Sequence, residues 1–132
     1  MKFLLDTNIC IYLINNKPST VRHNLESISP NNVFISSITA SELWFGIYKS
    51  KHVEKNTIAL VKFISKIKVL SYDENASIKY GEIRAILEKT GNLIGSNDLL
   101  IAAHALSLDY NLVTNNEKEF KKVKQLKVLN WV

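Results

Sequence analysis

The chain has 132 residues, 46% hydrophobic and 22% charged. These are ordinary globular proportions, and they exclude a disordered tail, a fibre and a low-complexity linker. A single cysteine, Cys10, excludes a disulfide framework and a multi-cysteine zinc site. The 17 lysines and arginines against 12 acids give a formal charge of +5. That charge suits a polyanionic partner as well as it suits the lysine-rich codon usage of an AT-rich genome. Arg22 and Arg84 are the sole arginines, which disfavours a bidentate base-reading interface.

Lys2 to Leu5 is a short apolar run closed by Asp6 and predicts a buried strand. Ile9 to Asn15 predicts a short helix, and Ser19 to Ile28 a second one with Val21, Leu25 and Ile28 at helical spacing. Val33 to Ser36 predicts a strand. Thr39 to Ser50 predicts a helix carrying Leu43 and Ile47, with Trp44, Phe45 and Tyr48 assigned to core or dimer packing in preference to base stacking. Lys55 to Ile67 predicts an amphipathic helix that turns Ile58, Val61 and Ile64 inward. Val69 and Leu70 end a strand before Ser71-Tyr72-Asp73, which caps a helix from Asn75 to Thr90. In that helix Ile78, Ile83, Ile86 and Leu87 face inward, and Gly91 closes it. Asn97 to Leu108 predicts an apolar, buried helix, Leu112 to Thr114 a strand, and Lys127 to Trp131 a last short strand. With no repeat, linker or compositional shift, residues 1–132 read as one domain. Short apolar strands alternating with helices predict an α/β fold with a mostly parallel sheet covered on both faces. The longest apolar stretch, Phe3 to Ile14, is broken by Asp6 and Asn8 and is too short to span a bilayer. The expectation is a reduced, cytoplasmic protein without a membrane anchor.

In open parallel sheets, ligands sit outside the carboxyl ends of the strands. Asp6 closes the first strand, Glu42 follows the second, Asp98 opens the most apolar helix, and Glu119 follows the strand ending at Thr114. Four carboxylates at one sheet edge repel one another unless cations sit among them. Hard oxygen ligands select Mg²⁺, with Mn²⁺ as the alternative. Such ions activate water and stabilise the leaving oxygen of a phosphodiester. Each acid also has a plainer reading. Thr39-Ala40-Ser41-Glu42 spells a capping box. Asp98 favours a helix dipole, Asp6 before Thr7-Asn8 forms an Asx turn, and Glu119 sits in a lysine-rich surface segment. Their joint placement at strand ends favours the metal reading.

These segments resemble a known family. Phe3-Leu4-Leu5-Asp6-Thr7-Asn8 resembles the opening of a PIN domain. Ile35 to Thr39 leading to Glu42 and Gly46, Ile94 to Ala105 around Asp98, and Val113 to Asn116 with Glu119-Phe120 resemble its later motifs, in order and across the whole chain. The branch it resembles most is that of the VapC toxins of type II toxin–antitoxin systems. The resemblance implies a three-layer α/β/α fold and a Mg²⁺-dependent endoribonuclease. It implies a structured RNA substrate, commonly a tRNA anticodon stem-loop, and a block of translation. It implies a homodimer, a VapB-type antitoxin, and operator DNA bound through that antitoxin.

Asp6, Glu42 and Asp98 match the family's metal-binding acids. Where many PIN domains carry a further Asp this chain has Asn116, so Glu119 is taken as the fourth acid, ahead of Glu117. Thr7, Thr114 and Asn116 are expected to support the acids, Thr114 as a hydroxyl that orients one of them. Lys118, Lys121, Lys122 and Lys124 are the candidate contacts to RNA phosphates, with a solvated lysine-rich face as the alternative. His23, His52 and His104 show no ligand spacing, and Cys10 reads as core. Two rivals stand beside the nuclease. A phosphatase wants a second Asp where Asn8 stands, and a non-catalytic binding module on the same scaffold stays open through Asn116.

Overall fold

The apolar runs form five strands, and the chain returns through helix between each strand and the next, so that the strands can pair in parallel. In a computed structural model describing residues 1–132, the order is β1 (Phe3–Leu5), α1 (Thr7–Asn15), α2 (Ser19–Glu26), β2 (Val33–Ser36), α3 (Ser37–Tyr48), α4 (Val53–Ile64), β3 (Lys68–Leu70), α5 (Glu74–Lys89), α6 (Ser96–Leu108), β4 (Asn111–Val113), α7 (Glu117–Phe120) and β5 (Val128–Leu129). The sheet order is β3-β2-β1-β4-β5, and every pairing is parallel. Phe3 stands opposite Val33 and Asn111, and Leu5 opposite Val113. The expected α/β architecture holds, with a sheet that is parallel throughout.

Side chains alternate across a strand, so each strand feeds two cores. Phe3, Leu5, Val33, Ile35 and Val113 pack with Ile9, Leu13, Leu43, Ile47 and Leu60 beneath α1, α3 and α4. Leu4, Phe34 and Leu112 pack on the opposite face with Ile83, Leu87, Leu99 and Phe120 of α5, α6 and α7. These are the three layers. Leu4 is fully buried, and its truncation to alanine would cost about 2–5 kcal/mol. Cys10 is buried in the first core. No helix is long and apolar enough to cross a membrane.

Helix ends follow local chemistry. Asp73 Oδ1 accepts the Ala76 N–H at 3.1 Å and starts α5, as the sequence predicts. At its other end Gly91, at φ +72°, lets Asn92 N–H reach Leu87 O at 2.8 Å, a left-handed turn that closes the helix.

Three expectations differ. In α4, Leu60 points inward, whereas Ile58 is 72% and Val61 52% exposed. The helix is apolar on several sides, so spacing alone does not choose its face. In α5, Ala76, Ile83 and Leu87 form the buried stripe and Ile78 and Ile86 lie outside it. Phe45 and Tyr48 of α3 are also exposed, which removes them from the core.

Candidate active site

β1 is the point where the strand order reverses: β2 and β3 lie on one side of it, β4 and β5 on the other. The crevice past the carboxyl ends of β1 and β4 is therefore the natural ligand site of this sheet. Asp6 emerges there from the end of β1, its backbone N–H donating to Val113 O at 2.9 Å. The residue is 5% exposed, and its carboxyl is tied at both oxygens. Oδ1 accepts the Thr7 N–H at 2.8 Å, which caps α1. Oδ2 accepts the Thr114 hydroxyl at 2.7 Å. Asp6 thus caps a helix and faces the crevice at once, so the plainer turn-forming reading and the functional one are compatible. Burial pushes its pKa above the ordinary carboxylate range and the neighbouring Glu42 charge adds to this, while the bonds from Thr114 and Thr7 pull the other way.

Glu42 comes from α3. That helix starts at Ser37, with Ser36 Oγ accepting the Ile38 N–H at 3.1 Å. The capping-box reading of Thr39 and Glu42 therefore fails: Thr39 already lies inside the helix, and its buried hydroxyl has no partner. Glu42 is instead held across the site. Thr7 Oγ1 donates to its Oε1 at 2.6 Å, and Asn97 Nδ2 to its Oε2 at 3.3 Å.

Asp98 stands in the first turn of α6, where the dipole favours its charge. Its pKa is nevertheless raised to about 6, by burial first and then by the charges of Asp6, Glu42 and Glu119. Thr7 and Asn97, the chain neighbours of Asp6 and Asp98, both bond Glu42 and so bring these three acids to one crevice, with Glu119 following on α7. Asp6, Glu42 and Asp98 enter no ion pair with a basic side chain; Glu119 pairs with Lys122 at 3.3 Å.

Asp6, Glu42 and Asp98 thus concentrate negative charge with no basic side chain paired to them, and of the four acids only Glu119 makes an ion pair. No three of the acidic groups stand close enough together to hold a metal ion by themselves. Such a donor set fits Mg²⁺, which keeps several waters and takes one or two carboxylates plus substrate oxygens. Asp6 and Asp98, with Glu42, are the residues that would hold it.

Of the supporting residues, Thr114 is fully buried and also accepts the Asn116 N–H at 2.9 Å. Asn116 precedes α7 and makes no capping bond with its side chain. Lys121 and Lys122 are paired with Glu117 and Glu119, whereas Lys118 and Lys124 project without such partners. Sequence reasoning missed Asn97, which lies 55 residues from Glu42 in the chain, a separation that leaves no local signal. It also missed the buried contact between Ser36 and His104. A concavity of about 1080 Å³ lies elsewhere, between α1, α2 and α4, lined by Leu13, Leu25, Ile28 and Phe63 and containing none of the four acids.

The sequence matches the PIN domain family over residues 3–126. It is 46% identical over 132 residues to the ribonuclease VapC2 of Rickettsia felis, covering 99% of this chain and 98% of that one. It is 43% identical over 131 residues to the tRNA(fMet)-specific endonuclease VapC of Shigella flexneri, with coverages of 99% and 98%. The fold superimposes on the crystal structure of VapBC2 from Rickettsia felis bound to a promoter DNA fragment, with a TM-score of 0.93, 42% identity and full coverage of both chains. With the acids of the motifs gathered at the switch point of the sheet, the chain belongs to the PIN-domain family, in its branch of VapC ribonucleases.

Proposed function

We propose that this protein is a Mg²⁺-dependent endoribonuclease that cuts structured RNA, a tRNA anticodon stem-loop foremost, and so blocks translation in the bacterial cytoplasm. The observation that carries the reading is that Thr7 and Asn97, the chain neighbours of Asp6 and Asp98, both bond Glu42 and so gather three acids that meet no basic side chain, with Glu119 on the nearby α7. The name of the Shigella flexneri relative supports the substrate class.

When bound, a divalent ion supplies charge neutralisation at the phosphate and a more acidic water. The rest is done by side chains. Asp6, locked by Thr114 and Thr7, and Asp98 would hold the ion. Glu42, aimed by Thr7 and Asn97, would orient the attacking water and receive its proton. Glu119 would complete a second, weaker metal position. Lys118 and Lys124, with Lys121 and Lys122 once they leave their intrachain partners, bind RNA phosphates without reading sequence.

A VapB-type antitoxin neutralises the toxin in this reading, and the complex reaches operator DNA through the antitoxin. The apolar groove between α1, α2 and α4, rimmed by Arg22, Lys62 and Lys66, offers such a partner a seat. Exposed Phe45 and Tyr48 supply apolar surface for a homodimer.

Induced expression followed by mapping of RNA 5′ ends tests the reading. Discrete new ends in tRNA, absent with Asp6→Asn, support it. Identical RNA ends with and without induction contradict it.

A further inference from the structure

His104 lies off the acidic face of α6 and takes no part in the chemistry above, yet it is 1% exposed. Its Nδ1 stands 2.8 Å from Ser36 Oγ. Ser36 is itself fully buried and caps α3 by accepting the Ile38 N–H. With that lone pair engaged, the Ser36 hydroxyl proton is free to point at His104 Nδ1. We assign the neutral tautomer with its proton on Nε2, in which the ring nitrogen Nδ1 accepts that hydroxyl. Burial lowers the His104 pKa against a smaller opposing effect of Asp73, which keeps the ring neutral at pH 7. Tyr72 closes the same corner. Its ring meets His104 edge-on at 5.5 Å between centroids, and its N–H donates to Ser37 Oγ at 3.0 Å.

The Ser36–His104 bond joins the helix that carries Asp98 to the end of β2, at the residue that caps the helix carrying Glu42. The other polar tie between those helices is the 3.3 Å contact from Asn97 to Glu42 at the exposed mouth. A long contact open to water is weaker than a short buried one. We infer that His104 is a positioning residue: by accepting the Ser36 hydroxyl it fixes α6 against the N-terminus of α3, and so sets the separation of Asp98 and Glu42 and the affinity of the pocket for a divalent cation. The inference rests on reading the four acids as a cation site. A contact that served only folding would move the melting temperature and leave cation affinity alone.

Binding of Mn²⁺ to the purified full-length protein, read from the electron paramagnetic resonance of the free ion, separates the two. His104→Asn puts a carbonyl oxygen where Nδ1 stands and keeps the acceptor. His104→Gln is closer in volume but carries its amide at the Nε2 position and loses the acceptor. Ser36→Ala removes the donor from the other side. The Asn variant should bind within about threefold of wild type, and the Gln and Ala variants roughly tenfold more weakly, the low end for loss of a ligand-orienting partner. Maximal cleavage at saturating metal should change less than the metal concentration for half-saturation. Folded Gln or Ala variants with wild-type Mn²⁺ affinity would overturn the inference, whatever their melting temperatures. A wild-type protein that binds no Mn²⁺ would overturn the cation-site reading itself, and this inference with it.

Discussion

Thr114 donates its hydroxyl to Asp6 across the crevice between β4 and β1, at 2.7 Å between residues 108 positions apart. The pairing of Leu5 with Val113 one residue earlier brings the two strand ends level. The same Thr114 oxygen accepts the Asn116 N–H, so one hydroxyl serves both the acid and the turn into α7. Thr114→Val keeps the shape and leaves both partners short of a bond. Urea denaturation should show a loss of about 1–3 kcal/mol. Loss of the hydroxyl also removes the strongest influence holding the Asp6 pKa down. Wild-type stability in the valine variant would show the bond to be idle.

Asp98 makes stability depend on pH in a definite sense. Its pKa rises from 3.8 to about 6 in the fold, so between those values the folded state holds more protons than the unfolded one. Metal-free protein therefore loses stability as pH rises through that window, and the effect stays complete above it. Asp98→Asn, which mimics the protonated form, should melt higher than wild type at pH 7.5 without metal. After allowance for a half-exposed group the gain is on the order of 1 kcal/mol, roughly 2–4 °C. The difference should shrink at pH 4. Saturating Mg²⁺ should raise the melting point of the wild type and not of the variant.

The fold was largely legible because each strand is a short apolar run bounded by polar residues, as in Phe3–Leu5 before Asp6 and Val33–Ser36 before Ser37. Helix faces were less legible. Ile58 and Val61 satisfy a helical period yet face outward, since α4 carries apolar residues on more than one side. At the site, the acids could be named from their places at strand ends. Thr7 and Thr114 could be named as supports, but not the partner each reaches, and Asn97 and His104 gave no signal: Thr7 reaching Glu42, Asn97 reaching Glu42 and His104 reaching Ser36 span 35, 55 and 68 residues. Such pairs exist once the sheet order is set, and short-range patterns carry no trace of them.

Glu42 depends on Thr7 for its aim. Thr7→Val should leave substrate binding intact and lower kcat by roughly 10–100-fold, the range for loss of a partner that orients a ligand. Steady-state kinetics on an RNA stem-loop would decide this. A change confined to KM would instead assign Thr7 to substrate binding.

The lysines beyond β4 should act through charge alone. Replacing Lys118, Lys121, Lys122 and Lys124 with glutamine should raise KM and flatten its dependence on salt, since each phosphate contact adds nearly one unit to the slope. An unchanged salt slope would mark them as a solvated face.

The central claim is that the Asp6 pocket cuts RNA with the help of a divalent ion. It is tested most directly by incubating purified, partner-free protein with a tRNA in Mg²⁺, in a chelator, and as Asp6→Asn. Discrete cleavage is expected in Mg²⁺, none in chelator, and a loss of at least about 100-fold in the variant, shown to be folded by its circular dichroism. Cleavage by Asp6→Asn at the wild-type rate would contradict the claim.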